Sequence, residues 1–438
     1  MPFASRLRLR LTPLVCAFCL FLPGLLGMMV LPVGYAPDVW THTYRVDSIL
    51  NGDIVARPVS SVSSYHSDPT QNVGGSVDDA TVQLSIDNYN GHDPGVVIAD
   101  SIAVDDGQAS DVPFNNTAVY NPVAYIPQLI GFSVGRLIGL SAVATYYLTE
   151  FTMLLFWTVI GTASVMMLPR YRPVMLGVLL FPGMWMPYAF SISADCLSLA
   201  LCVLFASMTV RAALETDDAR CSRDLFACCA IGFFMSVTKF SNAPLFALVF
   251  AVPFVRKSRS GICWIVLWFC LAVFADVLWL KIGTSGFTSS PAVVSYEVVE
   301  ARKSDLQGSL IAFMNGLVYS VLHAEGWYRF GREGVALFWI GLALGIAFVL
   351  SRIIIASHSS DGAVWNWKPM GWFWLWCCIV VLAAAIISYF ALWLQFTAPG
   401  LPGVSGVQYR YFLPYLPIAA LLVADCCQQS RLKMVHGR

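Results

Sequence analysis

The sequence predicts an all-α polytopic membrane protein of about ten membrane helices, with one long extracytoplasmic loop that contains juxtamembrane helices. Three observations carry this. Of 438 residues, 58% are apolar and only 12% are charged, whereas soluble chains run nearer half apolar and a quarter charged. The apolar residues fall in blocks of about 20, the length of a helix that crosses the hydrocarbon core. Basic residues crowd into short turns between alternate blocks, which is the positive-inside asymmetry. The net charge is zero, so no global basic field attracts nucleic acid. The whole chain, 1–438, reads as a single integral membrane domain.

The first span is expected over 14–33. Arg6, Arg8 and Arg10 precede it, which places the N-terminus in the cytoplasm. Its length and the lack of an A-x-A site after it argue for a retained span over a cleaved signal. Residues 34–141 read as an extracytoplasmic loop with a juxtamembrane segment. Between Gly34 and Thr117, twelve aspartates face only Arg45 and Arg57. The centre, 60–111, predicts loops with a few short strands, TVQLSI and GVVIA being candidates. DNYNGHD, from Asp87 to Asp93, suggests calcium, but the spacing does not fit an EF-hand loop, which favours a solvated turn.

Residues 116–141 are apolar but interrupted by Pro122 and Pro127, with Arg136 near the end. If this segment crossed the membrane, every later basic turn would fall outside. Laid along the outer face, it puts those turns inside, and its prolines suit a helix start. Further spans are expected at 142–168, 174–190, 195–211, 225–240, 243–255, 263–280, 335–355, 371–395 and 412–425. The pair at 225–255 is short for two crossings, and only the charge parity requires both. Residues 281–333 form a second extracytoplasmic loop. Its centre carries apolar residues at helical spacing and ends in Trp327, Tyr328 and Arg329, the pattern of an interfacial helix. Both termini are expected in the cytoplasm, on the inner side of the cytoplasmic membrane.

The thirteen cysteines all lie in apolar segments or basic turns, not in the polar loops where a disulfide framework would sit. The one CxxC, Cys16 to Cys19, lacks a second pair or a nearby histidine, so no zinc site is expected.

Five stretches in order carry a family signal: APDVWTH, NTAVYNPVAYIPQLIG, FPGMWMPYAFSISADCLSLAL, VTKFSNAPL and GVSGVQYRYFLPYLP. Together, over roughly 14–425, they resemble the bacterial membrane family called domain of unknown function 2142. That resemblance implies an architecture similar to the GT-C glycosyltransferases, which take a sugar from a polyprenyl-phosphate carrier and use a carboxylate in the first outer loop. Three positions depart from the pattern. Val39 stands where a second acid is expected, Tyr409 where a glycine is expected, and an arginine expected early in the second span is replaced around Glu150.

Transfer from a polyprenyl phosphate needs a base near the acceptor and a cation near the leaving phosphate. Asp38 is the first acid beyond a span and is the base candidate, with His42 one helical turn on. The alternative is that Asp38 only caps a helix. Arg410 is the phosphate candidate, its alternative being a snorkelling arginine between Tyr409 and Tyr411. Gln408 and Tyr125 complete the substrate-binding set by resemblance. Asp195 and Lys239 either pair or line the site, because ionisable groups in spans face a partner or a cavity. Asp276 and Glu150 are expected to be interior packing groups. No metal ligands and no cofactor are expected, with a divalent cation left open. The partners expected are membrane lipid and a polyprenyl-phosphate sugar donor. The leading expectation is a lipid-linked-sugar glycosyltransferase of the cell envelope. The alternatives are a lipid-glycan or small-solute transporter and a non-catalytic assembly protein.

Overall fold

A helix starts at Pro13 because Thr12 caps it, its hydroxyl accepting from the Val15 amide at 3.3 Å, and proline suits the first turn. The computed structural model that shows this describes residues 12–61, 72–88, 108–186, 188–256, 259–285, 294, 296–323 and 369–436. Two compact units are present, Met1–Thr288 with Leu413–Arg438, and Ser289–Phe412.

In the first unit, α1 (Pro13–Val30) and α2 (Val39–Leu50) precede a small antiparallel sheet. Its strands are β1 (Arg57–Pro58), β2 (Val73–Asp78) and β3 (Ala109–Pro113), in that order. Between β2 and β3 lies α3 (Asp79–Asp87). TVQLSI is therefore helix rather than strand. Its Thr81, Val82, Leu84 and Ser85 are buried, and the Ser85 hydroxyl hydrogen-bonds Tyr44 of α2, so packing overrides β-propensity. GVVIA and most of DNYNGHD lie outside the described residues.

A 3₁₀ turn, Pro122–Tyr125, leads into α4 (Ile126–Leu137). At 12 residues, α4 is about 18 Å long, short of a crossing. It lies against α5 (Ala142–Met167) where glycines permit close approach. A Cβ on Gly131 would sit 2.6 Å from the Thr149 Cα, and one on Gly135 2.7 Å from the Thr145 side chain. α5 also packs on α1 and α8 (Ala194–Leu214), α8 on α9 (Asp218–Thr238), and α9 on α11 (Arg259–Gly283).

The expected span 174–190 is broken. It forms α6 (Arg172–Leu179) and the single turn α7 (Pro182–Trp185). Pro182 has no amide to continue α6, and the residue before a proline avoids helix. Residues 240–256 form a 3₁₀ segment, Phe240–Phe250, followed by α10 (Ala251–Arg256). The last helix, α15 (Leu416–His436), is tied to the start of α6 by the Tyr171 hydroxyl, which donates to Asp425 at 2.7 Å.

The second unit holds α12 (Tyr296–Ser304), α13 (Leu306–Leu322) and α14 (Pro369–Phe396). Phe313, Tyr389, Trp393, Val404 and Val407 form its core. Arg302 closes the C-terminus of α14. Its guanidinium donates to the carbonyls of Trp393 (2.5 Å), Leu394 (3.1 Å) and Thr397 (2.7 Å) and lies 4.2 Å over the Trp393 ring. A cation there complements the helix dipole. Arg302→Ala is expected to cost about 2 kcal/mol, read as a lower midpoint in detergent unfolding, with Arg302→Lys recovering less than half because it lacks the fork.

Among the described residues, seven helices are long and apolar enough to cross a membrane: Pro13–Val30, Ala142–Met167, Ala194–Leu214, Asp218–Thr238, Gly261–Gly283, Met370–Phe396 and Tyr409–Gln428. The expected span 335–355 lies outside the described residues.

Candidate functional site

The site grows from the turn between α1 and α2. Gly34 adopts φ +82°, and a Cβ there would meet the Trp40 ring at 2.8 Å and the Asn88 carbonyl at 3.0 Å. Four residues on, Asp38 also adopts a left-handed conformation, φ 58°. Only glycine enters this region without cost, and asparagine and aspartate come next. Asp38 occupies the N-cap position of α2, yet its side chain makes no capping hydrogen bond. Its carbonyl does the local work, accepting from the His42 amide (3.1 Å) and the Thr41 hydroxyl (2.9 Å). The carboxylate turns instead toward Asn116, whose amide approaches Oδ1 at 3.5 Å.

One turn along α2, His42 is 3% exposed. Its Nδ1 lies 2.7 Å from the Tyr125 hydroxyl, a contact across 83 residues of chain. The imidazole stacks on Tyr120, with centroids 5.6 Å apart. Tyr120 in turn lies 5.9 Å from the Lys239 ammonium, and Lys239 forms an ion pair with Asp195. Lys239 sits where α9 ends and the 3₁₀ segment begins, and Asp195 in the first turn of α8, whose N-cap is Ser193. The Gln128 amide of α4 donates to the Ser193 carbonyl at 3.1 Å, which joins α4 to this helix start. Burial raises the Tyr125 pKa well above its ordinary value; Tyr120, Asp195 and Asp38 add to the rise, and Arg45 opposes it. Tyr125 therefore stays a neutral phenol. When that phenol donates to Nδ1, the other ring nitrogen of His42 carries the proton.

Asp38, His42, Tyr125, Asp195 and Lys239 thus meet in the first unit. Arg410 and Gln408 are carried by the second. There Gln408 is extended and its carbonyl accepts from the Tyr411 amide at 3.1 Å. The Arg410 guanidinium lies 5.6 Å over the Tyr411 ring. Asp195 and Lys239 pair with each other, one of the two arrangements their positions allow. Glu150 hydrogen-bonds Tyr146, whose hydroxyl accepts from the Gly34 amide at 3.4 Å. Asp276 accepts from Ser236 across the α9–α11 interface. Among the described residues, no group of three or more His, Cys, Asp or Glu side chains is arranged to hold a metal ion.

The family model described as "Predicted membrane protein (DUF2142)" matches residues 21–419. The chain belongs to this family. No curated protein and no solved structure matches it. The DUF2142 match spans every element that builds the cluster, from α2 to the 3₁₀ segment. Three of the cluster's residues escape a reading of charged motifs alone. Asn116 and Tyr120 belong to the same NTAVYNPVAY stretch as Tyr125 and were legible there as neighbours. Arg45, fully buried and bonded to the carbonyls of Asp53 and Ile54, carries no motif signal. Burial lowers its pKa to about 10.

Proposed function

We propose that this DUF2142 protein is a membrane glycosyltransferase that moves a sugar from a polyprenyl-phosphate carrier to a cell-envelope acceptor on the outer face of the cytoplasmic membrane. The observation that carries the reading is Asp38. A carboxylate in a left-handed turn, not used to cap its own helix, is a strained placement of the kind retained at functional sites. In the proposed step Asp38 takes the acceptor hydroxyl's proton as that oxygen bonds the anomeric carbon. The anomeric carbon–oxygen bond breaks, and its electron pair leaves with the polyprenyl phosphate. His42, oriented by Tyr125, contacts the sugar or relays the proton. Arg410, in the second unit, is the phosphate candidate that the family resemblance supplies, and a guanidinium fork matches two phosphate oxygens.

The break between α6 and α7 favours a second reading, a lipid-glycan or small-solute transporter, because discontinuous helices build transporter sites. Against it, residues 173–194 carry no Asp, Glu, Lys or Arg. The deciding experiment is glycan profiling of cells whose only copy is Asp38→Asn. Loss of an envelope glycan with normal insertion is the expected result. Wild-type glycans from an inserted Asp38→Asn protein would overturn the catalytic role.

A further inference from the structure

α2 carries both ends of the candidate site's first wall, Asp38 at its start and His42 within it. Its far end is held by a second polar cluster that the proposed chemistry does not use. Asp47 of α2 is 0% exposed. Its Oδ1 lies 2.6 Å from the Arg136 guanidinium of α4. The same guanidinium reaches the Asp78 carboxylate at 2.8 Å and Asn51 at 2.9 Å. Asp47 also accepts from the Asp78 amide at the end of β2 (3.2 Å), the Thr81 hydroxyl of α3 (2.6 Å) and the Asn51 amide of its own helix (3.1 Å). Asp79, the acid that opens α3, bonds Ser110 instead, and Arg45 bonds backbone carbonyls. Arg136 is thus the cation that faces Asp47, and Asp78 the neighbouring anion.

α4 begins at Ile126, directly after Tyr125. A shift of α4 along α2 therefore moves the Tyr125 hydroxyl relative to His42. We propose that the Asp47–Arg136 pair is a positioning clasp: it sets the register of α2 against α4, and with it the His42–Tyr125 contact. The proposal rests on the reading of that site as functional only for its consequence, since the clasp itself is defined without substrate.

The test is amide hydrogen exchange of the purified full chain in lipid nanodiscs at pH 7. Asp47→Asn, which leaves Arg136 without its anion, and Arg136→Gln, which leaves Asp47 buried without its cation, should each lower the protection of α2, β2 and α4 about 10-fold or more. Arg136→Gln should also speed deuterium uptake at the imidazole carbon of His42 several-fold, and Arg136→Lys should recover part of the loss because it keeps the charge without the fork. Unchanged protection in both variants, or an unmoved His42 in Arg136→Gln, would overturn the clasp. Asp38→Asn should leave every one of these exchange readouts unchanged, so a failed clasp and a failed catalytic aspartate give different results.

Discussion

Asp38→Gly is expected to leave the protein folded, and slightly more stable, while abolishing the proposed glycan transfer. The backbone at residue 38 is left-handed, where glycine has no Cβ to clash. Relief of that strain contributes about 1 kcal/mol. Glycine is also an acceptable N-cap, and no capping bond from the Asp38 side chain is lost. The substitution therefore separates two roles that Asp38→Ala would confuse, since alanine is strained in this conformation. If Asp38 serves only the turn, glycine keeps full function. If Asp38 is the base, activity falls by at least 100-fold, the ordinary contribution of a positioned proton acceptor. The readouts are glycan profile and unfolding midpoint, measured on the same inserted protein. Retained glycans would end the catalytic assignment.

The second large effect is expected from Gly131→Val. The missing side chain lets α4 lie on α5 with the Thr149 backbone 2.6 Å from where a Cβ would stand. Backbone cannot yield as a flexible side chain can, so α4 must move away. Overpacking of this kind costs about 3 kcal/mol. It also displaces Tyr125, one residue before α4, from His42. Unfolding at lower denaturant together with loss of function is the expected pattern. Gly177→Ala in α6 is the control. A Cβ at residue 177 meets nothing within 4 Å, so that change should leave the midpoint unchanged or raise it slightly. A Gly131→Val protein as stable as wild type would show that the α4–α5 contact is looser than described.

Hydropathy made the long apolar helices legible, because a run of lipid-facing residues such as Leu14, Phe18 and Leu26 has no other use. It could not find the break at Pro182, since residues on both sides of it are as apolar as a span. β2 was hidden for the opposite reason. VGGSVD has two glycines and little β-propensity, yet a Cβ at Gly74 would stand 1.8 Å from the Val112 carbonyl oxygen. There the close approach of β3 sets the residue. In the site, the ordered motifs named Asp38, His42, Tyr125, Asp195 and Lys239 one by one. The Asp195–Lys239 pair was one of the two arrangements their charges suggested, and it forms. What the motifs lacked was the His42–Tyr125 contact, which spans 83 residues, and spacing within a helix carries no information at that range. The buried Asp47–Arg136 pair was missed for the same reason, although Arg136 stood out as a charge in an apolar segment.

The 3₁₀ segment has a consequence for reach. Residues 225–255 looked too short for two crossings because an α-helix advances only about 1.5 Å per residue. A 3₁₀ helix advances about 2.0 Å. The 11 residues of Phe240–Phe250 therefore extend about 22 Å, and the six of α10 add about 9 Å. The summed rise of about 31 Å is near the thickness of the hydrocarbon layer, about 30 Å, where the same residues wound as α-helix would rise only about 26 Å. Tighter winding lengthens the stretch without adding residues. Lys239, at the point where the winding changes, stands at the start of the 3₁₀ segment.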